Sequence, residues 1–247
     1  MNTRRRVLIV QNAERSGPGR LTAWLAEDGI ETVVVAGADL PDAGVGALGN
    51  TDQPPVDGLV LLGGGFMPDD DEHFPFLPRE RALVGEAVSS GVPVLGICLG
   101  AQVLAHVTGG TVTASSGETE HGSCPVALLA PAADDPLFAG LTGYEELRMI
   151  QNHRDSITTL PPGAVLLATS DACRVQAFRV GAAAWGVQFH PEADGARLTT
   201  WNETRLAAVG IDRAELVAQA MADSDLNTDQ ARRLAGAFAA VVRGAGN

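Results

Sequence analysis

Val92-Pro93-Val94-Leu95-Gly96-Ile97-Cys98-Leu99-Gly100-Ala101-Gln102 is the stretch on which the reading of this chain turns. The apolar run Val92 to Leu95 predicts a buried strand, and Gln102 to Val107 predicts a helix. Between them a cysteine stands between two glycines. That arrangement fits a nucleophile elbow, a strand-to-helix turn so tight that the flanking residues must lack side chains. A cysteine there sits at a helix N-terminus, whose partial positive charge favours the attacking thiolate. A small buried core residue is the competing reading, since free cysteine packs well in interiors. The G-x-C-x-G setting after an apolar strand favours the nucleophile, provided that a base and an orienting acid occur elsewhere.

Working outward, the residues before the elbow alternate between strand and helix. Val7 to Val10, Thr32 to Val35 and Leu59 to Leu62 read as strands. Leu21, Trp24, Leu25 and Asp28 follow helical spacing, with Gly29 as a C-cap, and Arg79 to Ser90 predicts a second helix ended by Gly91. Ala36 to Val56, rich in Gly, Asp and Pro, reads as an irregular connection. Short connections between strands and helices imply a parallel sheet covered on both faces, with its active residues at the carboxyl ends of the strands. After Gly109-Gly110 the pattern changes. Pro125 to Leu129, Leu147 to Gln151, Val165 to Thr169, Val175 to Val180 and Ala184 to Phe189 predict short strands without intervening helices, hence an antiparallel or mixed portion. From Ala193 onward the chain reads as helical. The expected fold is therefore α/β, a mostly parallel central sheet flanked by helices, with a smaller antiparallel portion. Its expected division is a catalytic domain over 1–192 and a helical extension over 193–247 packed on that domain.

Composition narrows the function. The 247 residues are 45% hydrophobic and 19% charged, enough for a sizeable core, and 17 basic against 30 acidic residues leave a formal charge of −13. That balance argues against nucleic acid or an anionic membrane as partner. Arg4-Arg5-Arg6 reads as a solvated entry to the first strand. No apolar run approaches transmembrane length, and the run behind Arg6 is too short for a signal-peptide core. Three widely spaced cysteines make no disulfide framework. The expectation is a soluble cytoplasmic protein.

The partners of Cys98 are sought at strand ends. Trp185-Gly186-Val187-Gln188-Phe189-His190-Pro191-Glu192 ends a predicted buried strand, and the i, i+2 spacing of an extended chain puts His190 and Glu192 on one side. Pro191 fixes the backbone between them. A carboxylate so placed orients the imidazole and stabilises its protonated form. Gly63-Gly64-Gly65, at the end of the third strand, lets backbone N–H groups face a small ligand. No Lys-Ser/Thr follows, so a phosphate loop is excluded, and an oxyanion hole shared with the N–H of Leu99 fits better.

These three stretches resemble the class I, triad-type glutamine amidotransferases, in order and separation as well as in residues. Glu120-His121-Gly122 ahead of Pro125-Val126, and Gln151-Asn152-His153-Arg154-Asp155, agree with the same family. The resemblance covers roughly Val7 to Glu192 and looks most like stand-alone, GMP-synthase-like members on a flavodoxin-like three-layer fold. It implies that Cys98 attacks the side-chain amide of glutamine, that His190 moves the proton and that Glu192 holds His190. It further implies an oxyanion hole at Gly64 and Leu99, and substrate binding by Gln102, Gly65, His153 and Arg154. No metal and no organic cofactor is expected. Two departures from the family pattern are Gly65 where Pro is frequent and Arg154 where a small residue is common.

Two functions of one chemistry, and one of another class, follow. The first is a glutaminase that supplies ammonia to a synthase in trans. The second is a self-sufficient hydrolase of γ-glutamyl amides or peptides. The third is a non-catalytic module, which would be free to lose Cys98, His190 or Glu192. Cys124, Cys173 and His106 read as structural, Asp69 to Glu72 as a solvated loop and His73 at most as an edge of the cleft. His121 and Cys124 have a ligand spacing with no matching second pair.

Overall fold

The structure, a computed structural model, describes residues 4–40 and 56–245. The first half follows the expected alternation: β1 (Arg6–Gln11), α1 (Leu21–Glu27), β2 (Glu31–Ala36), β3 (Gly58–Leu61), α2 (Leu77–Ser89), β4 (Val94–Ile97) and α3 (Leu99–Val107). Gly29 and Gly91, at φ +80° and +71°, end α1 and its successor α2 as the left-handed residues their positions require. Of the irregular connection expected over 36–56, residues 41–55 lie outside the described residues.

The second half contains β5 (Thr111–Thr113), β6 (Glu120–Leu128), β7 (Leu147–His153), β8 (Ser156–Thr159), β9 (Val165–Thr169), β10 (Ala177–Val180) and β11 (Ala184–Val187). After a 3₁₀ turn at Gly195–Thr200 come α4 (Glu203–Ala207), α5 (Arg213–Ala222) and α6 (Ser224–Gly244). Among the described residues nine strands join in one sheet of order β2-β1-β3-β4-β11-β10-β9-β6-β7. The pairs from β2 through β11 are parallel, and those from β11 through β7 are antiparallel. The last strand in sequence thus inserts at the centre, between the two halves.

β3, β4 and β11 are buried along their whole length, as continuous apolar runs in a doubly covered sheet should be. On one face α1 and α6 pack over Val7 and Ile9, with Leu25, Leu234, Phe238 and Val242 filling the layer. The α6 residues Asn227, Gln230, Ala231, Leu234, Phe238 and Val242 recur at three- and four-residue steps, one stripe of a helix. On the other face α2 and α3 bring Val84 and Leu104 against Leu59, Leu61 and Phe178. β5 and β8 form a separate two-stranded antiparallel sheet beyond α3. They were not expected, because three and four residues dominated by threonine carry too little alternation to register as strands.

β4 starts two residues later than predicted and α3 three residues earlier, so no loop separates them except Cys98. This is where glycine is obligatory. A Cβ on Gly96 would lie 2.4 Å from the Gly100 carbonyl oxygen, and one on Gly100 would lie 2.3 Å from the Leu61 carbonyl oxygen. Both obstacles are backbone, so neither can step aside. Gly100→Ala is expected to destabilise the protein by about 1–3 kcal/mol or more, measured by urea denaturation. Unchanged stability would mean that α3 does not rest on β3 this closely.

Beside this turn lies a buried carboxyl group. Asn12, at the end of β1, donates from Nδ2 to the Leu62 carbonyl at 3.0 Å and to Glu80 Oε1 at 2.9 Å. Glu80 is fully buried on α2, and burial pushes its pKa up to about 7 against the Asn12 hydrogen bond and the charge of Arg81. A folded-state pKa above the unfolded one means that the native state binds the extra proton between pH 4.5 and about 7. Stability is therefore greatest below that window and falls as pH rises through it, by an amount on the order of 3 kcal/mol. Glu80→Gln, which keeps the shape of the protonated acid, is expected to be stabilising at pH 8 relative to wild type and to narrow the difference between pH 5 and pH 8. Parallel pH dependence in the two proteins would show that Glu80 is ionised without cost.

Candidate active site

Cys98 is the single residue between β4 and α3, and its backbone adopts φ 53°, ψ −108°. Among the described residues only Cys98 and Ser115 combine a side chain with positive φ, a conformation that L-residues avoid. The strain is held by its surroundings: the Cys98 N–H donates to the Val187 carbonyl at 2.8 Å, and α3 begins at the next residue. The helix dipole therefore points its positive end at the sulfur. The tight turn that the two glycines predicted is present.

β11 brings His190 to the elbow. It pairs in parallel with β4, Val187 opposite Ile97, so the residues just past its end emerge beside the elbow. The His190 N–H donates to the Ile150 carbonyl at 2.8 Å, and the ring Nδ1 lies 2.7 Å from Glu192 Oε1. Nδ1 is thereby committed to the carboxylate. Nε2 is buried and has no hydrogen-bond partner among the described residues. Burial by itself would discharge the imidazole, but the charges of Glu192 and Cys98 outweigh it and hold the His190 pKa at about 10. Glu192 moves the other way: burial raises its pKa, and attraction to His190 with the shared hydrogen bond overcomes that and lowers it. The three groups are thus arranged to favour a charged pair.

A clasp from the N-terminal part holds this segment. The Arg20 guanidinium donates to the Pro191 carbonyl at 2.9 Å and to Asn227 Oδ1 of α6 at 2.6 Å, and stacks 4.7 Å above the Trp24 ring. The Arg20 N–H donates to the Glu192 carbonyl at 3.2 Å. Neither Arg20 nor Asn227 belongs to a motif that the sequence brings forward, since their bonds to each other and to Pro191 join residues far apart in the chain.

The glycine turn lies against both Cys98 and His190. A Cβ on Gly63 would stand 3.1 Å from His190 Cε1 and 3.7 Å from Cys98 Cβ, and one on Gly64 would meet Leu99 Cδ2 at 2.6 Å. Gly64 thus packs against the Leu99 side chain, and the N–H groups of Gly64 and Leu99 have no backbone hydrogen bond to another element among the described residues. Gly65 is exposed, with nothing within 4 Å of a Cβ there. Gln102 is buried and its Nε2 donates to the Asp155 carbonyl at 3.0 Å and to Gln188 Oε1 at 3.3 Å. Arg154 extends outward, 70% exposed, 3.6 Å from the Asp155 carboxylate.

His153 points elsewhere, into a second grouping of the same three residue types. Glu120, His153 and Cys173 lie buried with their ligand atoms within 4.8 Å of one another. Here the histidine Nε2 faces Glu120 Oε2 at 3.2 Å, and Gln176 Nε2 donates to the same oxygen. The Cys173 thiol donates to Glu118 Oε2 at 3.6 Å. Burial and the charge of Glu118 push that thiol far up, so it stays protonated. Cys124 is likewise pushed up to about 12 by burial. The grouping is a hydrogen-bonded network under the end of β7, assembled from three separated segments that sequence spacing does not connect.

The remaining polar candidates have local partners. His121 meets Asn152 at 3.1 Å, His73 meets Asp70 at 2.7 Å, and His106 is exposed at the end of α3. Arg5 and Arg6 pair with Asp57 and Glu31. No helix among the described residues is long and apolar enough to cross a membrane.

The comparisons with known proteins agree with this geometry. Residues 47–202, more than half of the chain, match the family described as glutamine amidotransferase class-I. The chain is 40% identical over 138 residues to a subunit of the glutamine-hydrolyzing GMP synthase of Haloarcula marismortui, a match that takes in 56% of this chain and 65% of that protein. It is 39% identical over 139 residues to the glutamine-hydrolyzing GMP synthase of Xanthomonas axonopodis pv. citri, of which it spans only a quarter. The crystal structure of a glutamine amidotransferase from Thermotoga maritima superposes with a TM-score of 0.82 at 27% identity, over 96% of this chain and 99% of that one. A cysteine elbow beside a histidine–glutamate pair, on a sheet of this order and within a match of this length, leads to one assignment: the chain belongs to the class I glutamine amidotransferases.

Proposed function

We infer that the chain hydrolyses the side-chain amide of glutamine through Cys98, His190 and Glu192. The observation that carries this reading is the 2.7 Å contact from His190 Nδ1 to Glu192, with Nε2 left free and Cys98 held at the strained elbow across the Gly63 turn. His190 accepts the thiol proton and the sulfur attacks the amide carbon. As the carbon–nitrogen bond breaks, His190 returns the proton to the leaving nitrogen, and ammonia departs. Water, deprotonated by His190, then adds to the thioester and the carbon–sulfur bond breaks, which gives glutamate and restores the thiol. The Gly64 and Leu99 N–H groups face the oxygen that becomes negative in both additions.

The destination of the ammonia is argued from the relatives. The shorter of the two is named as one component of a GMP synthase, and the longer one contains three quarters that this chain does not match. A synthase component acting in trans is the corresponding partner. A second reading, in which the free chain takes larger γ-glutamyl amides or peptides, uses the same triad, with the exposed Arg154 as the departure from the family pattern that would alter which compound is accepted.

Glutamate release from L-glutamine by the purified protein is expected to vanish in Cys98→Ala and to fall about 10²–10⁴-fold in His190→Ala. Glu192→Gln is expected to lose less, because it orients and charges the base without moving the proton itself. Release that survives Cys98→Ala would overturn the assignment of the nucleophile. Faster turnover of γ-glutamyl dipeptides than of glutamine would select the second reading.

A further inference from the structure

We propose that Gln188 is a thiolate-stabilising donor to Cys98, aimed by Gln102. The proposal rests on Cys98 as the nucleophile and adds a residue to its immediate surroundings. Gln188 is buried one residue past β11, and its Nε2 lies 3.5 Å from Cys98 Sγ, within reach of an N–H···S hydrogen bond.

The direction of the amide follows from the neighbours. The Asp155 main-chain carbonyl can only accept, so the Gln102 atom 3.0 Å from it must be the NH₂ group. The same NH₂ lies 3.3 Å from Gln188, so the Gln188 atom that meets it must be the carbonyl oxygen. Only the Gln188 NH₂ remains to face the sulfur. A backbone carbonyl at the start of β8 thus sets, through two glutamines, the polarity of the group beside the nucleophile. The Gln188 backbone is fixed as well, by its N–H donating to the Gln176 carbonyl at 2.9 Å.

The chemistry follows from that polarity. An N–H donor is a weak partner for a thiol and a strong one for a thiolate, so it favours the charged form and holds Sγ in one rotamer. His190 supplies charge from one side, and Gln188 supplies a neutral dipole from another. Because the dipole does not titrate, it is available both when the thiolate first forms and when the thiolate is released from the thioester. The geometry also gives Gln102 a positioning role, since its NH₂ is already shared between Asp155 and Gln188.

The test is the pH dependence of Cys98 alkylation by iodoacetamide, followed by peptide mass spectrometry so that Cys124 and Cys173 are counted separately. In Gln188→Met the rate at pH 7 is expected to fall about tenfold and to converge on the wild-type rate at high pH, where the thiolate forms without help. Gln102→Met, which leaves Gln188 in place but unaimed, is expected to show a smaller loss of the same shape. It keeps the proposal open to refutation if Gln188→Met does not fold. Wild-type alkylation profiles in both folded variants would overturn the proposal while leaving the catalytic reading intact, provided that Cys98→Ala abolishes glutaminase activity. If Cys98→Ala remains active, both fall together.

Discussion

The parallel pairing of β11 with β4 is the contact on which the site depends. Cys98 and His190 are 92 positions apart in the chain, and nothing local relates them. Register does: with Val187 opposite Ile97, the elbow and the His-Pro-Glu segment leave the sheet side by side. The same pairing provides the Val187 carbonyl that holds the strained Cys98 N–H. Because adjacent side chains on a strand point to opposite faces, a slip of one residue would bury His190 in the wrong layer. Full burial of β3, β4 and β11 makes such a slip costly, since every apolar side chain would have to exchange layers.

Much of this was legible in the residues. Apolar runs bounded by glycine located β3 and β4, and the two glycines around Cys98 announced a turn in which a Cβ at either position would come within 2.3–2.4 Å of a backbone oxygen. The i, i+2 spacing of His190 and Glu192 announced their hydrogen bond, although the backbone there is a turn closed by the Ala193 N–H donating to the His190 carbonyl at 3.2 Å, not the extended strand end that was expected. What remained hidden depended on long-range pairing. Gln188 has no special composition around it, and it becomes informative only once α3 places Gln102 next to it. The network of Glu120, His153 and Cys173 draws on β6, β7 and the β9–β10 connection, so no window of sequence contains it. His153 shows the hazard of carrying over a whole motif: its neighbours Asn152 and Arg154 differ from it in exposure, and its own side chain turns inward toward Glu120.

The electrostatics of the site separate two neighbouring designs. Around Cys98 lie the N-terminus of α3, His190 and the Gln188 Nε2 at 3.5 Å, none of which opposes negative charge on sulfur. Around Cys173 two carboxylates oppose it. The protein thus contains two buried groupings of cysteine, histidine and glutamate that differ in what the carboxylate touches. In one the glutamate faces only the imidazole of the pair. In the other a second glutamate accepts from the thiol itself, which locks the proton in place.

The Arg20 clasp has a bearing on biosynthesis. Translation up to Glu192 already supplies Cys98, His190 and Glu192, yet Asn227 on α6 still lies ahead. Until that helix docks, the guanidinium that grips the Pro191 carbonyl lacks its distal anchor, and the layer over Val7 and Ile9 is open. The α6 end of the clasp is therefore the last part of it to be made. A nascent chain carries all three side chains for the time needed to add the final helices, while the clasp on Pro191 still lacks its anchor in α6.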